Sequence, residues 1–218
     1  MIDNQQTAMD DFENLRFSLK KWTENPSYGE NDIRTMFLNQ LDKVILYHNL
    51  NSYYFIKFLQ NKREFDNILQ TNSMIDYYNV LETYQVQAKN AFIFQLSSIL
   101  ERFLRVLLQL IRPNTNLNKQ FYALREELFE VLDIEKADEW FAISILSNIR
   151  NTFHNNGVYT SDNIPSIIYK KRTYEFIKNE IHNNADYHTL FMITQDIVNL
   201  YEKICDKYII KSFTLIQG

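Results

Sequence analysis

Arg150, Asn151 and His154 stand together in the stretch Ser147-Asn148-Ile149-Arg150-Asn151-Thr152-Phe153-His154-Asn155-Asn156-Gly157. Arg150 and His154 are four positions apart, which on a helix places both on one face within reach of a shared ligand. Ser147, one turn earlier, falls beside them. A guanidinium fork holds the oxygens of a phosphate or carboxylate. An amide donates and accepts, and an imidazole with an unperturbed pKa of about 6.5 moves protons near neutrality. A phosphodiester is one ligand that suits this set. A plainer account also stands: a cation and a histidine in the last turn of a helix gain about 0.3–1 kcal/mol from the helix dipole without any function.

A helix must carry these residues, and the sequence supplies one. Ile143, Leu146, Ile149 and Phe153 recur at three- and four-residue steps over about residues 136–155, and Asn155-Asn156-Gly157 can stop it in a left-handed cap. A longer helix is expected over about 74–111. Its second half is apolar almost all round, which sets it at the centre of a bundle. Gln95, Ser98, Arg102, Arg105 and Gln109 make its polar stripe. Glu101 lies off that stripe, among Phe94, Leu104 and Leu108, where a carboxylate is costly unless paired. Arg150 is the expected partner.

Further helices are expected over about 7–23, from Asp32 through Tyr47, over 53–69, from Leu117 to 132, and over 187–208. His48-Asn49-Leu50-Asn51-Ser52 is a candidate interruption, with His48 at the surface or hydrogen-bonded. Between the motif helix and the last one, β-prone runs at 167–170 and 173–177 flank Lys171-Arg172 and suggest a small hairpin, although Lys-Arg is a poor turn pair. The fold class is therefore mainly all-α, a helical bundle with one small β-hairpin. A single domain over 1–218 is expected, with N-terminal helices in 1–72 and the core in 73–218.

Composition agrees with a packed helical protein. Of 218 residues, 45% are hydrophobic and 15% aromatic, with only 3 Gly and 3 Pro to break helices. The net charge of −4 excludes nucleic-acid binding through the overall field, so any such binding needs a local basic site. The single cysteine, Cys205, excludes an internal disulfide and a cysteine-based metal site. No apolar run approaches the roughly 20 residues of a membrane span, and the polar N-terminus is unlike a signal peptide. A cytoplasmic location, with no membrane partner, is the expectation. His182 and His188 share no metal-binding motif, and no nucleotide or nucleophile signature occurs.

The Arg150-Asn151…His154 pattern resembles the motif of the HEPN superfamily, helical domains that are mostly metal-independent RNA endonucleases or inactive relatives of them. Residue types and order match. Only three residues lie between Arg150 and His154, where the family pattern has four to six. The family often carries a Glu on the helix corresponding to 74–111, and Ser97-Ser98-Ile99-Leu100-Glu101 looks similar. The resemblance implies a HEPN-like bundle that cuts single-stranded RNA by 2′-hydroxyl attack. His154 would move protons, Arg150 would hold non-bridging oxygens, and Asn151 would orient the phosphate or His154, with Glu101 and Ser147 in support.

It further implies a homodimer, no metal and no cofactor, and a toxin or antiphage role with an antitoxin or regulatory protein as partner. A catalytically silent binding or dimerisation module of the same type is the alternative, and a helical adaptor unrelated to the family is a third. Lys170, Lys171 and Arg172, with Lys178 and interleaved Tyr169, Tyr174 and Phe176, read either as an RNA-backbone patch or as a solvated hairpin face.

Overall fold

Helix α4, Met74–Ile111, begins where Ser73 accepts from the Asp76 amide at 3.1 Å, and its hydroxyl also donates to the Asp76 carboxylate. In this computed structural model the described residues are 2–24, 27–71, 73–116, 118–155, 157–162, 165–181 and 184–218, and the side chains of Ile2, Asp3, Asn4, Ile68 and His154 lie outside the description. The expected helix start at Leu117, the Asn156 of the proposed stop, and His182 fall outside the described residues as well.

The second half of α4 buries Phe92, Ile93, Leu96, Leu100, Phe103, Leu104, Leu107 and Leu108. Around it pack α2 (Ile33–Tyr54), α5 (Phe121–Val131), α6 (Asp138–His154) and α7 (Tyr187–Asp206); α1 (Ile2–Thr23) lies against α2 and α7. All of these contribute to one apolar cluster, from Phe12 and Phe37 through Leu128 and Ile149 to Ile197. The first half of α4 instead joins a small satellite cluster of Phe55, Leu59, Phe65 and Tyr77, built on a π-helical turn at Phe55–Leu59 and the short α3 at Lys62–Ile68. The chain is thus mainly helical with a two-stranded hairpin, as its periodicities imply.

Two local expectations are corrected. Residues 48–52 do not interrupt α2, which runs on to Tyr54; the irregularity comes immediately after, as the π-helical turn. The hairpin, β1 (Ser166–Tyr169) and β2 (Arg172–Glu175), turns at Lys170-Lys171 and not at Lys171-Arg172. Both turn residues have positive φ, 47° and 65°, the requirement of a type I′ turn whose twist matches the strands. The pairing Tyr169↔Arg172 and Ile167↔Tyr174 puts these four residues on one face. Tyr169 and Tyr174 are fully buried on it, while Ile168 on the other face is exposed.

Helix α6 ends at His154, and Gly157 closes it with φ +84° as its amide donates to the Thr152 carbonyl at 2.9 Å. A short α8 (Tyr208–Lys211) follows α7. Among the described residues no helix is long and apolar enough to cross a membrane.

Candidate functional site

Helix α6 holds the motif against α4 and α7 through Ile143, Leu146 and Ile149, all buried. Its opposite side is polar. Ser147 donates to the Ile143 carbonyl at 2.8 Å, and Asn148 to the Ser144 carbonyl at 3.0 Å while accepting from the Tyr159 hydroxyl. Asn151 is exposed. The backbone places His154 one turn after Arg150 on α6.

Glu101 on α4 meets Arg150. Arg150 Nη1 donates to Glu101 Oε2 at 2.9 Å, and Arg150 Nε is buried without a hydrogen-bond partner. The other carboxylate oxygen takes two bonds from Arg105, Nε at 3.0 Å and Nη2 at 2.6 Å. Arg105, which its spacing places in the polar stripe of α4, is therefore half of a clamp on Glu101. It lies one turn C-terminal to Glu101, the orientation in which a carboxylate and a cation meet on a helix. Burial alone would raise the Glu101 pKa, but the hydrogen bonds from Arg105 and then Arg150 outweigh it and hold the carboxyl below its usual value.

These residues open into one cleft of about 700 Å³, within the range of small-ligand sites. Glu101, Arg105, Ser147, Arg150 and Asn151 line one side of it. Tyr122 and Arg125 from α5, Trp140 and Ser144 from α6, and Pro165 and Ile167 at the base of the hairpin supply the rest. Three guanidiniums against one carboxylate give the lining a net charge of +2, in a chain whose net charge is −4. The cleft is thus a local basic site in an acidic chain.

The hairpin cations go elsewhere. Lys170 pairs with Asp196 at 2.9 Å, and the same carboxylate accepts from the Tyr169 hydroxyl at 2.6 Å. Arg172 pairs with Asp186 at 2.6 Å and donates to Thr189. Lys178 pairs with Asp162. Lys171 is left exposed at the turn. Alternation separates Lys171 from Arg172 across the two faces, and the carboxylates of α7 and its cap neutralise the other two, so these residues do not present a common cationic surface. Tyr169, buried and beside Asp196, has its pKa pushed far up, by burial first and then by that carboxylate.

The sequence reading also left out Arg125. It stands four residues after Phe121 and four before Phe129, which is core spacing, and a cation at core spacing was the available signal. Tyr122 and Trp140 carried no signal beyond ordinary aromatic packing. Among the described residues no group of three or more His, Cys, Asp or Glu gathers as metal ligands would. No family model matches the chain, and no curated protein or solved structure matches it either.

Proposed function

We propose that this protein is a HEPN-like endoribonuclease that cuts single-stranded RNA without a metal. The observation that carries this reading is the cleft itself: Arg150, Asn151 and Ser147 of α6 line a cationic groove beside Glu101. A strand lying there would bring a phosphate to Arg150, whose Nη1 is fixed by Glu101. A guanidinium pinned on one edge is pre-oriented, so less side-chain entropy is lost when its other donors engage oxygen.

In the reaction the 2′-oxygen gives up its proton and bonds to the adjacent phosphorus. The bond from phosphorus to the 5′-oxygen breaks, and that oxygen takes a proton. His154 would transfer protons. Arg150 would hold the non-bridging oxygens as negative charge grows on them, and Asn151 would orient the phosphate. The reading includes a homodimer, a cytoplasmic setting, and a toxin or antiphage role restrained by an antitoxin or another regulatory protein.

One observation favours a second reading. Arg150 already spends a charged hydrogen bond on Glu101, which fits a silent binding or dimerisation module as well. The deciding experiment is incubation of the purified chain with single-stranded RNA in EDTA. Cleavage is expected, and Arg150→Ala and His154→Ala should each lower it by roughly 100-fold or more while leaving the circular dichroism spectrum unchanged. RNA that is bound but never cut selects the module. Cleavage that needs a divalent metal, or that survives both substitutions, removes the nuclease reading.

A further inference from the structure

Arg125 is the most unusual charge in the molecule. Only 2% of it is exposed, yet among the described residues no carboxylate pairs with it. Its Nη1 donates to Ser144 Oγ at 3.0 Å, and Ser144 is itself oriented by donating to the Trp140 carbonyl at 2.8 Å. Its Nε is buried with no partner. The guanidinium carbon lies 3.7 Å from the centre of the Trp140 ring and 5.4 Å from that of Tyr122. Burial pulls its pKa down to about 10, so it remains charged at neutral pH.

Glu126, the acid that acts on it, pairs with Lys136 instead, and removing a cation from water without a directly paired carboxylate is unfavourable to folding. Stacking on Trp140 offsets part of this, but it satisfies none of the remaining N–H groups. Such a group lining an open cleft is organised for an anion the chain does not itself provide. Arg105 and Arg150 share Glu101, so the cleft as a whole is short of two negative charges. A phosphodiester brings one negative charge, whereas a phosphate monoester brings close to two at neutral pH. Beside Arg125, Tyr122 is 57% exposed at the rim, an aromatic surface on which a base can stack.

We propose that Arg125 binds the terminal phosphate monoester of a nucleotide, with the adjoining base on Tyr122, so that this cleft recognises a 5′-phosphorylated end. The inference shares with the nuclease reading only the premise that the cleft receives a nucleotide chain, and it does not depend on bond cleavage. Arg125 lies on α5, outside the Arg150–His154 motif. The same chemistry is offered by a strand end or by a free nucleoside monophosphate.

The test uses the full chain in EDTA, with a single-stranded hexanucleotide of 2′-O-methyl sugars, which has no 2′-hydroxyl to attack. Binding is followed by tryptophan fluorescence and by thermal melting. The 5′-phosphorylated strand should bind roughly tenfold or more tightly than its 5′-hydroxyl counterpart. Arg125→Met should erase that preference and, by removing an unpaired buried charge, raise the melting temperature without ligand. Adenosine 5′-monophosphate, tested in parallel, separates the sources: affinity equal to the strand's makes a free nucleotide the ligand, and weaker binding makes it a strand end.

Equal affinity of the unsubstituted chain for both strands overturns the proposal, and this comparison needs no variant to fold. So does an Arg125→Met protein that melts lower and keeps the preference, because that is the behaviour of a residue held only for packing. The end preference is read on a strand that cannot be cleaved, so a chain that cuts nothing can still show it, and the two readings fail separately.

Discussion

His48 occupies a site where an apolar side chain would be expected. It follows Leu41, Val44 and Ile45 on the buried stripe of α2 and is 3% exposed, neither at the surface nor hydrogen-bonded. Its ring lies 5.0 Å from Phe12, 4.4 Å from Phe92 and 5.7 Å from Tyr187 between centroids. Desolvation, with the nearby Lys89 ammonium second, pulls its pKa down from 6.5 to about 4. The folded state therefore holds His48 neutral where the unfolded chain takes up a proton.

That stability is complete above pH 6.5 and is lost as pH falls through 4, to a total of about 3 kcal/mol. His48→Met removes two unsatisfied nitrogens and should be at least as stable as the unsubstituted protein at pH 7, by up to about 2 kcal/mol. Its melting temperature should fall less between pH 7 and pH 4. Melting curves of the two proteins over that range check both statements; parallel pH profiles would mean that His48 does not titrate on unfolding.

At the scale of elements, the hairpin holds two lysines in the left-handed region, where an L-residue other than Gly or Asn is disfavoured by about 1–2 kcal/mol. Side chains outside the turn keep it there. Tyr169 and Lys170 converge on Asp196 of α7, and Arg172 reaches Asp186, the residue that caps α7. The hairpin is thus bound to α7, and β1 packs on α6 beside the cleft, where Ile167 and Pro165 form a wall. Lys171 makes none of these bonds. Lys171→Gly should stabilise the protein by about 1 kcal/mol, a rise in melting temperature of about 2–4 °C for a chain of this size. A fall on that substitution would show that the exposed Lys171 side chain contributes something the backbone does not.

Across the whole molecule a buried ion pair helps tie the start of α2 to the last residues. Asp32 caps α2 by accepting from the Arg34 amide at 2.9 Å, and its carboxylate also takes bonds from the Arg34 side chain and from the Ile216 amide. Arg34 in turn donates to the carbonyls of Ile210 and Phe213 and stacks 3.3 Å from the centre of Tyr28. Burial alone would raise the Asp32 pKa, but the Arg34 and Ile216 hydrogen bonds hold it below its usual value. Breaking such a pair strands a buried cation, at a cost of about 3–5 kcal/mol. Asp32→Ala should lose that much stability in urea unfolding. Backbone amides of residues 210–217 should also exchange hydrogen much faster; unchanged exchange there would show that packing and the Ile33–Ile216 backbone bond hold the last residues without the ion pair.

Helix positions, the hairpin and the Arg150–Glu101 contact could all be read from one dimension, because each rests on local periodicity or on the cost of leaving a single carboxylate unpaired. The partners of the cations could not be read this way. Lys170, Lys171 and Arg172 are adjacent in sequence, and only the pleat and the approach of α7 neutralise two of them. Arg105, assigned to the polar stripe, reaches Glu101 within α4, and only the packing of α6 brings Arg150 to the same carboxylate. Arg125 gained its meaning from an absence among the described residues, that of a carboxylate bonded to it; Glu126 acts on it only at a distance and pairs with Lys136, and no local pattern encodes that. Spacing fixes which residues share a face; what stands opposite that face is decided when distant segments pack.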